Sequence, residues 1–392
     1  MSAEIADPFA APLSVAGEAP SCLASIEDVP VTEWEALADR ALETNAFFDP
    51  AYSRAAFSLA ASGGGGKALL ARAGGRLVAL LPVVWASAAF RLPLPVLVAR
   101  QPYSPLTAPL LAADEPLAAA EALLDAGAAS GARLLDLPAL PLDGAAGKAL
   151  LAILERRGIR PVSLEMHERA ALDASQDAET YLRDAMGGKK LKELRRLRNR
   201  LDDEGAVAFA LARTPDEIAA ALERFLVLEA SGWKGEGGTG LGQDAGDAAF
   251  VRAMAQGLGR RGAFEVLELT LDGRAIASGL VMRQGRTAFF FKIAYDEKLS
   301  RFSPGVQLTL ELTRQLCADE TITFADSTAD AGHPMIDHIW RERLRVADML
   351  VPLHANDPLA GGLILLLRLR RAAREQAKRI FRHFRSLREK RQ

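Results

Sequence analysis

Cysteine is scarce in this chain of 392 residues: there are two, Cys22 and Cys317, far apart. That spacing excludes a disulfide framework. Histidine is also scarce, with five residues and no paired Cys/His spacing, so neither a structural zinc nor any other metal is expected. The first twenty residues contain Glu4 and Asp7 and have no basic start, which argues against a signal peptide. Long apolar runs are missing too. The best candidate, Leu359–Leu367, stops at Arg368 and is too short to span a bilayer. Gly63–Gly66 lacks the Lys-Ser/Thr of a P-loop and is given no phosphate role. A cytoplasmic location is the expectation, with peripheral attachment at the inner face of a membrane as its variant.

What is present is ordinary for a globular protein: 49% apolar and 25% charged residues. The length predicts two or three domains. The net charge of −2 hides an asymmetry. From Arg368 to the end there are 11 Lys/Arg against 2 Asp/Glu, a net +9 that leaves −11 for the rest. Within the tail, Leu366, Leu369, Ala373, Ala377, Ile380, Phe384 and Leu387 recur every three or four residues. The pattern predicts a basic amphipathic helix over 357–392. It would lie on an anionic membrane, dock on a partner, or pack on the acidic body. Residues 1–24 read as a mobile tail and 25–185 as a complete α/β unit. Residues 186–356 read as a second unit.

The second unit is organised around Phe264–Ala318. Three apolar runs, Phe264–Leu271, Arg274–Met282 and Arg286–Tyr295, are separated by Asp272-Gly273 and Gln284-Gly285. Asp-Gly between alternating apolar residues is a hairpin signal, so three antiparallel strands are predicted. A polar loop then leads to Ser303-Pro304-Gly305, which opens a helix through about Cys317. Ser303 suits the N-cap and Pro304 the first helical position. Gly305 has no Cβ to block a ligand, and the first helical N–H groups form an anion site. The same tripeptide also fits an ordinary capped helix. Upstream, Leu191, Leu194, Leu197 and Leu201 share one face of a helix over Lys189–Leu201. Its other faces are basic, either solvated or touching an anion. Downstream, Thr321–Phe324 is a predicted strand with Asp326 just past it. His333–Trp340 is a predicted helix start, and Arg345–Leu353 is a predicted last strand.

Four segments, taken in order, resemble one acetyltransferase family. They are the Lys189–Leu201 helix and Ser231–Leu241 with its Trp-Lys-Gly…Gly-Thr-Gly-Leu. Phe291-Lys292-Ile293-Ala294-Tyr295-Asp296 with Ser303-Pro304-Gly305 is the third, and Asp326-Ser327…His333-Pro334-Met335-Ile336-Asp337-His338-Ile339-Trp340 is the fourth. Together they are similar to the CelD/BcsL-type GNAT acetyltransferase domain of cellulose and exopolysaccharide loci, itself related to the FemAB aminoacyltransferases. The resemblance implies an α/β (α+β) fold of two tandem GNAT-like domains with mixed, mostly antiparallel sheets, the first of them degenerate. Ser303-Pro304-Gly305 stands where GNAT proteins usually carry an Arg/Gln-x-x-Gly-x-Gly/Ala loop.

The resemblance also implies a reaction: transfer of an acyl group other than aminoacyl from acetyl-CoA or another acyl-CoA to an amine or hydroxyl. The acceptor would be a small molecule or saccharide. Backbone N–H groups of Gly305 and Val306, with Ser303 and Tyr295 beside them, would hold the cofactor. Arg301 is either a phosphate partner or a surface arginine. Asp326 and His333 are candidate bases, or caps of the following helix. Lys292, unusual after three phenylalanines, is a third catalytic candidate, or a lysine that ends at the surface. Glu229, Trp233 and Lys234 are candidates for acceptor binding, with Trp233 and Trp340 either aromatic walls or core. Two other classes stay open: a FemAB-like aminoacyl ligase using charged tRNA, and a non-catalytic adaptor of a membrane synthase. Nucleic acid is otherwise an unexpected partner, because no base-reading module is present.

Overall fold

The computed structural model describes residues 22–232 and 240–389, with the backbone alone for 378 and 381–389. The fold is mixed α/β, built on a sheet of mostly antiparallel strands. The first half contributes β1 (Cys22–Ser25), α1 (Val31–Asp39), α2 (Pro50–Ser58), β2 (Lys67–Ala73), β3 (Arg76–Trp85) and α3 (Ala86–Phe90). It continues with β4 (Val96–Val98), β5 (Leu110–Leu111), α4 (Pro116–Ala129), β6 (Leu134–Pro141), α5 (Ala145–Arg156) and β7 (Val162–Asp173). The second half begins with α6 (Ala178–Asp202), β8 (Val207–Ala212), α7 (Pro215–Ala230), α8 (Ala245–Arg260), β9 (Phe264–Leu271), β10 (Arg274–Gln284) and β11 (Thr287–Tyr295). It ends with α9 (Pro304–Ala318), β12 (Phe324–Asp326), β13 (Glu342–Pro352) and α10 (Pro358–Glu389).

The described strands make one sheet in the order β1-β2-β3-β4-β6-β13-β7-β12-β11-β10-β9-β8, with β5 on β3. The last strand, β13, lies between β6 and β7, antiparallel to both. Two pairs are parallel, β4 with β6 and β11 with β12. Each is joined through a helix, α4 or α9, so one connection recurs in both halves.

The predicted hairpin is present. Asp272 and Gly273 have φ of 50° and 78°, the two left-handed residues that a tight hairpin turn needs. Alternation along β9–β11 sends side chains to two cores. Phe264, Val266, Leu280, Met282 and Phe289 join α7, α8 and the first half. Leu267, Leu269, Val281, Ala288 and Phe290 pack with α6 and α9. A bulge interrupts that alternation: Leu280 faces Lys292 while Val281 faces Phe290, leaving Phe291 as the extra residue. Past it the parity of the strand is reversed.

The basic helix is the second part of α6, which breaks at Gly187 (φ 75°, ψ 150°). Leu194 and Leu201 are buried, and Lys189, Lys190, Lys192, Arg195, Arg196 and Arg200 are exposed. Two expectations need correction. The predicted Thr321–Phe324 strand starts later, at Phe324, because Asp319 binds the N–H and hydroxyl of Thr321 and holds a turn there. The helix expected from His333 is only a three-residue 3₁₀ turn, Ile336–His338. There the His333 ring, rather than the backbone, accepts the N–H groups of Met335 and Ile336. Among the alternatives left open for the tail, packing of the stripe on the body is not seen: Leu366, Leu369 and Ile380 are exposed, while Ala360 and Leu367 dock, and the side chains of Phe384 and Leu387 lie outside the described residues.

Buried Asp136 on β6 provides a test of the core. Its carboxyl is pushed up to about 7, first by burial and then by the neighbouring charge of Asp348, partly offset by Arg371 and Arg370. A carboxyl with a raised folded-state value binds its proton more tightly when folded. Its contribution is therefore intact near pH 4 and is lost as the pH rises through about 7. Asp136→Asn is expected to raise thermal stability at pH 8 and leave it unchanged near pH 4, with roughly 4 kcal/mol as the upper bound. An equal change at both pH values would show that Asp136 is not the titrating group.

Candidate functional site

The parallel pair β11/β12 is short. Thr287, Ala288 and Phe289 face Phe324, Ala325 and Asp326, and then β12 ends. The chain turns away at Thr328, whose φ is 53° and whose hydroxyl donates to the Phe290 carbonyl at 2.7 Å. Diverging backbones here leave a wedge. At its open end lies a cavity of about 240 Å³. Its walls are the end of α7 (Leu228, Glu229), the end of β11 (Ile293 to Tyr295) and His333 to Met335 opposite. Glu229, Tyr295 and His333, separated by up to about a hundred residues in sequence, therefore meet in one cavity.

Each of the three is positioned by its surroundings. Glu229 ends the buried face of α7 and is 2% exposed. One of its oxygens accepts the Leu241 N–H at 2.8 Å, and the other lies 3.9 Å from Lys292 Nζ. His333 accepts the N–H groups of Met335 and Ile336 at Nδ1, 3.3 and 3.4 Å. A neutral ring that accepts at Nδ1 carries its proton on Nε2, so the ring offers the cavity a donor. Tyr295 lies half-buried against the start of α9, where a Cβ on Gly305 would come within 3.0 Å of its ring. A side chain at position 305 would therefore press on that ring.

Lys292 owes its place to the bulge. Strict alternation would send it into the α6/α9 core beside Phe290. The reversed parity turns it to the other face, with Nζ 5.2 Å from the centre of the Tyr103 ring. Tyr103 comes from the first half. Its hydroxyl donates to Asp247 at 2.6 Å and its ring stacks on Phe250. Burial, and then the Asp247 carboxylate, push its phenol well up from the usual value. Tyr103 also lines a second cavity of about 820 Å³, together with Arg91, Arg100, Gln101 and Pro138. Lys292 and Tyr103 therefore stand between the two cavities. The sequence reading missed Tyr103 and Asp247, because no local pattern links a Pro-containing loop to a strand nearly two hundred residues away.

The helix start behaves differently from the expectation in one respect. Ser303 is left-handed (φ 52°, ψ 53°), and its side chain makes no capping bond. Its N–H closes the preceding 3₁₀ turn on Ser300, and its carbonyl accepts from Gln307. Among the described residues the N–H groups of Gly305 and Val306 have no protein acceptor. No acidic side chain occupies the first turn. The equivalent helix of the first half, α4, follows Asp114 and Glu115, and Asp114 is already paired with Arg40 and Arg76. At α9 no such carboxylate directly precedes the helix start, and its positive end favours an anion.

The other sequence candidates lie elsewhere. Asp326 is 1% exposed and paired at 2.5 Å with Arg169, itself 2% exposed. Its second oxygen accepts the Thr328 N–H at 2.9 Å. The carboxylate is held inside the sheet and is not brought into the cavity. Arg301 is at the surface, bonded to Glu204 at 3.0 Å and stacked on Phe302. Trp340 is core, with its indole N–H on the Thr313 hydroxyl. Trp233 and Lys234 lie outside the described residues.

Residues 188–332 match the family described as an acetyltransferase (GNAT) domain. No curated protein matches. Three solved structures share the fold. The C-terminal domain of a putative lysylphosphatidylglycerol synthetase from Agrobacterium fabrum is 13% identical, over 86% of this chain and 94% of that one, with a TM-score of 0.52. FemX is 11% identical, over 84% and 97%, with a TM-score of 0.53. The L-PGS structure from Bacillus licheniformis is 15% identical, over 86% and 96%, with a TM-score of 0.50.

The Asp326–Arg169 pair makes a testable claim about what the carboxylate does. Asp326→Ala would strand a buried guanidinium and is expected to cost about 3–5 kcal/mol in urea unfolding. The double substitution Asp326→Leu with Arg169→Met is expected to recover most of that loss. An Asp326→Ala variant as stable as the parent would mean that the pair is not buried as described.

Proposed function

We propose that the chain transfers an acyl group from an acyl-CoA, acetyl-CoA in the simplest case, to an amine or hydroxyl acceptor. The observation that carries this reading is the convergence of Glu229, Tyr295 and His333 on the wedge beside β11. The unpaired N–H groups of Gly305 and Val306, next to Tyr295, support it further. The match of residues 188–332 to a GNAT domain supports the acyl-CoA donor. We take 25–185 and 186–356 as two GNAT-like units, the second one active. The recurrence of a parallel strand pair around α4 and α9 favours that division.

In such a transfer the acceptor's lone pair bonds to the thioester carbonyl carbon and the carbon–sulfur bond breaks. The acceptor loses a proton, and the leaving sulfur gains one. The Glu229 carboxylate, oriented by the Leu241 N–H and Lys292, would take the first proton. The Tyr295 hydroxyl and His333 Nε2–H would supply the second. Gly305 and Val306 would receive the diphosphate through their N–H groups, at the positive end of α9. Arg301 and Ser303 flank that position. The larger cavity beyond Tyr103, with Gln101, Ser104 and Arg100 in its lining, suits a polar acceptor such as a saccharide. The CelD/BcsL resemblance favours one from exopolysaccharide assembly.

A second reading has its own support. The exposed lysines and arginines of α6 stand beside α9, with Gln307 donating to the Leu194 carbonyl at 2.8 Å. A basic face there fits an aminoacyl-tRNA donor. The shared fold with a structure named as a lysylphosphatidylglycerol synthetase points the same way.

Thermal melting with CoA and with charged tRNA separates the two. At about 100 times its Kd, CoA is expected to add about 2.7 kcal/mol of stability. Glu229→Gln is expected to lower kcat for thiol release by about 10²–10⁴-fold. Stabilisation by charged tRNA alone would replace the first reading with the second. Response to neither would leave an adaptor.

A further inference from the structure

α10 has two apolar faces. The first docks on the body: Ala360 and Leu367 are buried, and Leu363 and Ile364 are half-buried against the core of the first half. Arg371 extends that contact to Asp348 and Glu165, and Arg370 lies 4.2 Å over the Phe90 ring. The helix is therefore fixed along one side.

The second face points to solvent. Leu359 is 60% exposed, Leu365 58%, Leu366 42%, Leu369 60% and Ile380 51%. Among the described residues the other exposed large apolar side chains, Leu59, Met166 and Val227, stand far apart in sequence, one after α2, one on β7 and one on α7. At 3.6 residues per turn, the five on α10 fall within about 120° of the helix circumference, roughly opposite the docked positions. Ala373 and Ala377 lie in the same sector and are also exposed. Arg368 and Arg379 border the sector on one side and Arg370 on the other. The chain from Arg368 onward carries 11 basic and 2 acidic residues.

We propose that this face of α10 lies on an anionic lipid surface. A stripe of leucines sinks below the headgroups, and Arg368 and Arg379 on its free border extend their apolar stems and reach lipid phosphates. Charge decides between the candidate occupants. A second copy of the helix would bring +9 against +9, whereas an anionic leaflet attracts each of those charges. No described helix is long and apolar enough to cross a membrane, so α10 rests on the surface. Its docked side holds the body in one orientation there. This inference is independent of the chemistry proposed above.

Co-flotation of the full chain with phosphatidylcholine vesicles, with and without phosphatidylglycerol, tests it. Binding is expected to be about tenfold or more tighter on the anionic vesicles and to weaken with added salt. The triple substitution Leu365→Gln, Leu366→Gln and Leu369→Gln is expected to lose about tenfold or more while melting as the parent does, because all three side chains are exposed. Arg368→Gln with Arg379→Gln is expected to weaken binding to the anionic vesicles by about tenfold and to leave binding to the neutral ones nearly unchanged. Failure of the parent to float, or equal flotation of the triple variant, overturns the proposal. So does a parent dimer that the triple substitution dissociates without changing flotation, which would make the face a protein interface.

Discussion

Everything about the site depends on where two parallel strands part. β11 and β12 keep company for three residue pairs, and then β12 ends while β11 runs on. A parallel pair that continued would fill the space now bordered by Ile293, Ala294 and Tyr295. Two local features enforce the separation. The bulge at Phe291 adds twist to β11 just after the last pair. On the other strand, Asp326 is drawn toward β7 by Arg169, and the chain then turns at a left-handed Thr328.

Arg169 gives that constraint its reach. It sits on β7, a strand of the first half that pairs with β12 and β13 of the second. Besides holding Asp326 it donates to the Pro105 carbonyl at 2.8 Å, two residues from Tyr103. One buried guanidinium thus ties β7, the end of β12 and the loop that delivers Tyr103 to Lys292. Desolvating such a pair is costly, and fixed geometry is the return that the structure displays. The wedge, the Lys292 cluster and the larger cavity share this support.

Local chemistry was legible in the sequence, and non-local pairing was not. Asp272-Gly273 announced the hairpin because a tight turn needs two left-handed residues. The leucines of Lys189–Leu201 announced the basic helix. Glu229, Tyr295 and His333 were each singled out, but nothing in their spacing said that they would meet. The bulge that turns Lys292 away from the α6/α9 core was not legible, because a one-residue insertion leaves no mark in a run of phenylalanines. Asp326 looked like an available carboxylate since its partner lies 157 residues away. The place of β13 between β6 and β7 is likewise set by pairing across the whole chain. In the tail, periodicity found an apolar stripe correctly but could not tell which of two apolar faces would dock.

A crystal structure of the protein grown with coenzyme A tests the central claim most directly. The account predicts the pantetheine arm in the wedge beside Ile293–Tyr295, with Tyr295 displaced from Gly305 and the diphosphate on the N–H groups of Gly305 and Val306. An empty wedge, with the nucleotide bound elsewhere or absent at saturating concentration, would contradict it.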